Sequence, residues 1–389
     1  MATEGGLAIR DDQPLRILLT LHYPLDPNAG AAGCTLRLAA SLRERGHEVS
    51  VFGFDQMRGR RDSKLDLLSF PFQASALALR RLRADDVDVV DASTGDLWPT
   101  SRGMVRRCRG IAVTRSHGLE NHEAAATMEA RDRGELELSR RYFVYYGGIR
   151  LKQVARSLRV ADADFFLSTN ERAWAVEHLA LDPRRSEVVR NGLADSFIGL
   201  PPPRAYGKGP LGIAVIGPFI WRKGAETAAA VLSRVLQRAP TAHASWLGAP
   251  DEEVKAAVDP SVRERVRVVS HYRNEDLPSL LEGHHALLLL SRSEGYPGAV
   301  LEAMACGLAV ISTDVGECRA LLEPTGAGVI VPPADVDAIA TTVGRLAGDP
   351  ARLDQMRRNG HRKAQDLGWS EVAAETERLY RRVIEEKSH

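Results

Sequence analysis

Residues 286–307 read ALLLLSRSEGYPGAVLEAMACG. The apolar run at 286–290 has the length and composition of a strand buried on both faces. Gly295, Pro297 and Gly298 make a tight loop, and an apolar helix follows that stops near Cys306-Gly307. A strand–loop–helix unit of this kind presents helix N-terminal amides at the carboxyl end of the strand, where phosphate groups bind well. Two acids bracket the loop. Glu302 lies about one turn into the helix, from where it can accept two hydrogen bonds from a vicinal diol such as a ribose. Glu294 precedes the helix, on the far side of the same phosphates, and can hold a second polyol. Ribose, diphosphate and sugar in one place describe a sugar-nucleotide pocket.

Outward from this stretch, short apolar strands alternate with amphipathic helices, which predicts an α/β architecture with parallel sheets. The pattern runs twice. LRILLTL (15–21) is the first strand, a glycine-containing loop and the helix 34–46 follow, and Gly46 stops that helix before HEVSVFGF (47–54). Further strands are expected at 87–92, 111–117, 162–169 and 186–191. IGLPPPRAYGKGP (198–210) has no periodicity and reads as a linker. The second half restarts with LGIAVIG (211–217), a helix near 224–239, and strands at 243–248, 265–270, 285–290, 308–313 and 327–332. Ser370 is expected to cap a last helix through 372–387.

Composition bounds the function. The chain has 389 residues, enough for two domains with substantial cores, 44% hydrophobic and 26% charged residues, and a net charge of +1. That balance gives no bulk attraction to nucleic acid. Cys34, Cys108, Cys306 and Cys318 include no C-x-x-C pair and are expected as free thiols in a reducing cytoplasm. No apolar run has the length of a membrane span.

Several other residues stand where chemistry collects. Lys223, in IGPFIWRKGAET (216–227), lies just before a predicted helix, so its ammonium can sit beside bound phosphates, with Arg222 next to it. Solvated residues at a helix start are the plainer reading of the two cations. Gly30 and Gly33, in the loop after the first strand, let backbone approach a ligand, although the G-x-G-x-x-G spacing is absent and a plain turn is the alternative. Asp55, ending the second strand, keeps open a nicotinamide-dependent dehydrogenase. His117 ends the strand IAVTRSH, with Glu120 close behind. Asp86-x-Asp88, Asp162-x-Asp164 and Asp335-x-Asp337 have the form of a metal–diphosphate motif but read as chance matches, and His284-His285 lack partners at metal-ligand spacing. No metal site is expected. The basic segments 80–83 and 106–109 read as solvated faces, with contact to an anionic membrane surface as the alternative.

The spacing of Glu294 and Glu302 resembles the E-x7-E motif of the retaining glycosyltransferases of family GT4, which have the GT-B fold. The resemblance extends over nearly the whole chain. It implies two Rossmann-like doubly wound domains facing a central cleft, with a disordered tail over 1–14, an acceptor domain over 15–197, the linker over 198–210, a nucleotide-sugar domain over 211–368, and a helix over 369–389 crossing back to the first domain. Gly217, Lys223 and Gly224 match the family's phosphate stretch, while Pro218 stands where an arginine is usual, a place that Arg222 could fill. TRSHGLE (114–120) is similar to the segment whose histidine faces the donor sugar, which assigns His117 that role. The loop with Gly30 and Gly33 matches the one that approaches sugar and phosphates. Asn191-Gly192 matches a family turn near the cleft, and Tyr272 and Arg273 match the region that holds the base.

What the resemblance implies is a metal-independent transfer of a sugar from a nucleotide donor, UDP-linked, to the hydroxyl of a small or lipid-linked acceptor, with no cofactor, in the cytoplasm, by a monomer or homodimer. Lys223 and the amides near Gly298 and Ala299 hold the diphosphate, Glu302 the ribose and Glu294 the sugar. Pro297, expected as the first helical residue, cannot donate the amide hydrogen bond that many relatives offer there. Epimerases and phosphorylases of the same fold, and a non-catalytic sugar-nucleotide binder, are the alternatives.

Overall fold

The computed structural model describes residues 13–59, 64–207 and 209–389. The expected tail therefore lies, for residues 1–12, outside the described residues. The chain divides into two compact units, residues 1–192 with 369–389 and residues 193–368.

In the first unit, β1 (Arg16–Thr20), β2 (Glu48–Phe52), β3 (Val89–Ser93), β4 (Ile111–Arg115), β5 (Ala163–Phe166) and β6 (Ser186–Val188) form one sheet in the order β2-β1-β3-β4-β5-β6. All pairings are parallel. The second unit contains β7 (Gly212–Ile216), β8 (His243–Leu247), β9 (Val266–Val269), β10 (Ala286–Leu289), β11 (Ala309–Ser312) and β12 (Gly328–Ile330), ordered β12-β11-β10-β7-β8-β9 and again all parallel. All twelve strands fall in the apolar runs where the sequence predicts them. Helices cover both faces of such sheets, so the central strands are buried throughout, as β3, β4, β7 and β10 are.

Each strand order reverses once, between β1 and β3 in the first sheet and between β7 and β10 in the second. At such a point the connections leave in opposite directions and open a crevice at the carboxyl ends of the strands. Cores on the sheet faces hold these points still. Trp246 is 1% exposed among Leu232, Leu236, Val254 and Leu288 in the second unit. Its replacement by alanine would cost about 3–5 kcal/mol. In the first unit the helix Trp369–Ser388 packs Trp369, Ala373, Tyr380 and Ile384 into one core with Ile17, Leu38, Val113 and Phe165. Lys387 fastens its end through the carbonyls of Val105 and Gly110 and the Asp162 carboxylate.

Three local expectations change. The first helix spans Gly30–Glu44, so Gly30 and Gly33 belong to its first turn instead of a loop. A Cβ on Gly33 would lie 2.5 Å from the Pro27 carbonyl oxygen, so the small residue serves the chain's own tight approach there. The last helix begins at Trp369, one residue ahead of Ser370, which sits in its first turn and does not cap it. Pro297 is the N-cap of the helix Gly298–Ala305, one position before its first residue. Residues 198–207 run along the second unit. The Tyr206 amide donates to Asp354, and the Arg204 carbonyl accepts from Arg357.

Candidate functional site

Gly217 closes β7 with φ 132°, a conformation that favours glycine, and its carbonyl accepts a hydrogen bond from Trp246 Nε1 at 3.0 Å. A single turn, Trp221–Lys223, leads to Gly224 with φ 64°. A Cβ on Gly224 would stand 1.9 Å from the Leu290 carbonyl oxygen, so only glycine lets this turn dock on the end of β10. The Arg292 guanidinium lies 4.8 Å from the Trp221 ring and holds the turn from its other side.

That docking brings the two strand ends together chemically. Lys223 Nζ donates to Glu294 Oε1 at 2.6 Å, and Ser291 Oγ donates to the same oxygen at 2.6 Å. Arg222 Nη1 is 3.7 Å from Glu294 Oε2 and donates to the Ser293 carbonyl at 3.3 Å. The Glu294 side chain is 7% exposed and that of Lys223 22%. A carboxylate this buried needs a paired cation, and the pair leaves further ammonium hydrogens for an incoming anion. The sequence reading assigned the two residues separate tasks, and the structure makes them direct partners. Pro218, in the arginine position, lines the same recess with Gly217, Lys223, Trp246 and Ser291.

Beside this pair the helix Gly298–Ala305 begins with no side chain capping its amides. Gly298 is exposed and Ala299 half-buried. Uncapped first-turn amides with the helix dipole behind them attract anions. One turn along, Glu302 Oε1 accepts a hydrogen bond from Asn274 Nδ2 at 2.7 Å. Burial and then the Glu302 charge raise the pKa of the Tyr272 phenol, and they push the Cys306 thiol up to about 12. Tyr272 also lies against Gly248, at the end of β8. Lys223, Glu294, Gly298, Ala299, Glu302 and Tyr272 thus belong to strand ends of one sheet. Ser291 and Asn274 join them without having been singled out. Ser291 stands three residues before Glu294, a position the sequence could have flagged, whereas nothing in the sequence marks Asn274.

The first unit is built differently. His117 follows β4, half-buried, with Nε2 3.4 Å from Thr35 Oγ1 on the first helix and Nδ1 buried without a hydrogen-bond partner. Burial, then the charges of Arg115 and His22, push its pKa down to about 3, so the ring is neutral. Gly30 and Gly33 are on the helix that carries Thr35. At the β1/β3 reversal, His22 Nδ1 bonds Asp96 at 2.8 Å and Thr20 Oγ1 donates to the other Asp96 oxygen at 2.7 Å. Arg150 donates to Glu120 at 2.8 Å and to the Thr94 carbonyl at 3.0 Å, and Thr94 Oγ1 donates to Glu120 at 2.9 Å. Of this buried network, sequence reasoning had named only Glu120.

The remaining motifs have structural work. Asp88 holds Arg16, Asp162 accepts from the Ala112 amide, Asp164 from Thr114, and Asp335 caps the helix Val336–Ala347. Asp55 accepts the Leu25 amide at 2.7 Å. His285 accepts the Gly212 amide at 3.0 Å.

Comparison with known proteins follows the same division. The family model for Glycosyltransferase Family 4 matches residues 29–197, and that for Glycosyl transferases group 1 matches residues 210–349. The chain is 31% identical to D-inositol 3-phosphate glycosyltransferase 1 of Catenulispora acidiphila over 136 residues, 35% of this chain and 32% of that relative. Across eight of the curated relatives it matches, the matched stretch spans between 30% and 58% of their length. The fold is that of the sucrose-phosphate synthase of Thermosynechococcus elongatus, with TM-score 0.73 at 18% identity over 95% of this chain and 100% of that one. It is also that of Anabaena HepE in complex with UDP and glucose, with TM-score 0.65 at 15% identity over 93% and 98%. Two family models that between them take in both parallel-sheet units, and a fold shared from end to end, place this chain in the GT4 family of GT-B glycosyltransferases.

Proposed function

We propose that this protein transfers a sugar from a UDP-linked donor to an acceptor hydroxyl, with retention of configuration and without a metal. The observation that carries the reading is the Lys223–Glu294 pair beside an uncapped helix start at the β7/β10 reversal. In this scheme the amides of Gly298 and Ala299 and the ammonium of Lys223 receive the diphosphate. Glu302, with Asn274, takes the ribose diol, and Tyr272 lines the base end. Glu294 shares its carboxylate between Lys223 and a hydroxyl of the sugar.

The chemistry follows from where charge appears. As the bond from the anomeric carbon to phosphate breaks, negative charge grows on the phosphate beside Lys223, an interaction stronger in the transition state than before it. Positive charge grows on the sugar ring. His117 is neutral, so it can hydrogen-bond a sugar hydroxyl without opposing that charge. The acceptor oxygen attacks from the face the phosphate leaves, and its proton passes to a phosphate oxygen. The acceptor is a small or lipid-linked alcohol. Support comes from the family membership and from two similar proteins, one named for glycosyl transfer to D-inositol 3-phosphate and one holding UDP and glucose.

A thermal-shift panel of UDP-, GDP- and ADP-sugars tests the donor, because a ligand that binds only the folded state raises its stability. A rise with UDP-sugars, followed by acceptor-dependent UDP release that survives EDTA, is expected. No shift with any nucleotide sugar contradicts the reading. Loss with EDTA restored by manganese removes its metal-free part, and turnover without acceptor would indicate an epimerase.

A further inference from the structure

His117 is the second residue of a short loop, 116–119, between β4 and the helix Glu120–Asp132. The strand before the loop is fixed by Arg115, which donates through Nε to Asp91 at 2.8 Å, and Asp91 also takes the Tyr380 hydroxyl at 2.5 Å. The loop itself is wound on one carboxylate from another element. Glu171 stands in the first turn of the helix Thr169–Leu179, after β5, and is 1% exposed. Its Oε1 accepts from Ser116 Oγ at 2.9 Å and from the Leu119 amide, and its Oε2 accepts the Leu167 amide at 2.9 Å. Ser116 Oγ in turn accepts the Gly118 amide at 3.0 Å. Gly118 has φ 121°, a conformation that favours glycine, and its own amide and the next both end on this hydrogen-bonded centre.

Helix capping explains only half of this. In the run STNE (168–171) Ser168 Oγ accepts the Glu171 amide at 3.1 Å, and a glutamate at this position ordinarily returns its carboxylate to the backbone ahead of its own helix. Oε2 does so at Leu167. Oε1 leaves the helix for the loop of a neighbouring strand, which capping does not require. Among the described residues Glu171 is held by these N–H and O–H donors and by no cation, and burying a carboxylate that way costs stability. What the arrangement gives is a loop with one geometry around His117. Thr35 Oγ1 donates to the Ala31 carbonyl at 3.0 Å, so its oxygen is left to accept from His117 Nε2, and Nδ1 is the bare acceptor of a neutral ring.

We propose that Glu171 is the positioning residue for His117, fixing the loop that aims the imidazole without touching the sugar itself. This rests on the reading of His117 as the group that meets the donor sugar. The charged groups facing the ring are Arg115 on β4, Asp91 on β3, His22 after β1, and Glu123 on the helix Glu120–Asp132, while the first helix offers the uncharged Thr35. The sign of the effect separates position from charge. Loss of the Glu171 carboxylate as a charge alone would lower the pKa of His117 further, whereas a loosened loop admits water to the ring and raises it toward the ordinary 6.5.

The test is ¹⁵N NMR of ring-labelled histidine in the full chain, with steady-state kinetics of the same variants. Wild-type His117 should stay neutral down to its pKa of about 3. In Glu171→Ala it should titrate roughly one pH unit or more higher. Glu171→Gln, whose amide oxygen can still accept from Leu119 and Ser116, should restore most of the wild-type behaviour. Ser116→Ala keeps the carboxylate and both amide bonds, should shift His117 the same way by less, and supplies the reading if Glu171→Ala does not fold. In Glu171→Ala kcat should fall about 10–100-fold with UDP affinity unchanged, as for a misplaced catalytic group. The same substitution in His117→Ala should cost less than about twofold. A His117 pKa that is unchanged or lowered in these alanine variants overturns the proposal, and so does a full kcat loss from Glu171→Ala in the chain that lacks the imidazole. The NMR arm needs no turnover, so failure of the positioning is seen apart from failure of glycosyl transfer.

Discussion

The two sheets reverse their strand order in equivalent fashion, yet the crevices at the two reversals are furnished differently. At β7/β10 the charges are few and half-open. One lysine is shared with one buried carboxylate, and a helix start is left without a cap. At β1/β3 the charges are many and closed on themselves. Asp96 is satisfied by His22 and Thr20, and Glu120 by Arg150 and Thr94. An anion entering the first place finds unused donors. One entering the second meets carboxylates whose partners are already engaged. The same topology thus leaves donors open at one reversal and a closed hydrogen-bonded network at the other, and the difference comes from side chains that the topology does not dictate.

The largest effect expected from this contrast is at Lys223. Lys223→Ala removes a cation whose value grows as the leaving phosphate departs, so kcat should fall on the order of 10²–10³ with a smaller change in donor affinity. Steady-state kinetics with a UDP-sugar and any productive acceptor measure it. Near-normal kcat in the folded variant would remove the lysine from the leaving group.

Because Lys223 and Glu294 touch, their substitutions should not be independent. The loss in Lys223→Ala/Glu294→Gln should be smaller than the summed single losses by about 0.5–3 kcal/mol in activation free energy. Strict additivity would mean that the 2.6 Å pair is dissolved in the working enzyme.

His117 gives a prediction in pH. Its folded pKa of about 3 lies below the ordinary 6.5, so between those values the unfolded chain binds the extra proton and stability falls as pH falls. The groups facing it are Arg115 on β4, His22 after β1 and Thr35 on the first helix. Urea unfolding of the wild type should show that acid limb, and His117→Gln should flatten it. An unchanged limb would place the lost protons elsewhere. The kcat profile should carry no ionisation of His117 near neutrality.

Arg222 is expected to matter least. Its 3.7 Å approach to Glu294 and partly exposed side chain predict less than about 1 kcal/mol in donor binding for Arg222→Ala. A loss as large as that of Lys223→Ala would show that it replaces the arginine absent at Pro218.

The contrast also explains what could be read from the chain. The strands were legible because central parallel strands are continuous apolar runs. The acids and helix start of the candidate site were legible because they occupy the short stretch 294–302. The Lys223–Glu294 contact was not, since it joins residues 71 apart and each has a sensible role alone. The first unit hides more. His22 meets Asp96 across 74 positions and Tyr380 meets Asp91 across 289, so no local spacing announces either. The helix Lys64–Arg83 escaped because its exposed Leu68 and Phe72 blur the period of its buried side.

The central claim is that the β7/β10 reversal is where the nucleotide binds, and titration calorimetry of UDP into the wild type and Glu302→Ala tests it most directly. Glu302 is expected to contribute charge-assisted hydrogen bonds to the ribose worth roughly 1.5–3 kcal/mol each. The account predicts saturable UDP binding in the wild type and binding at least tenfold weaker in the folded variant, by about 1.4 kcal/mol or more. UDP binding of equal affinity in both would contradict it.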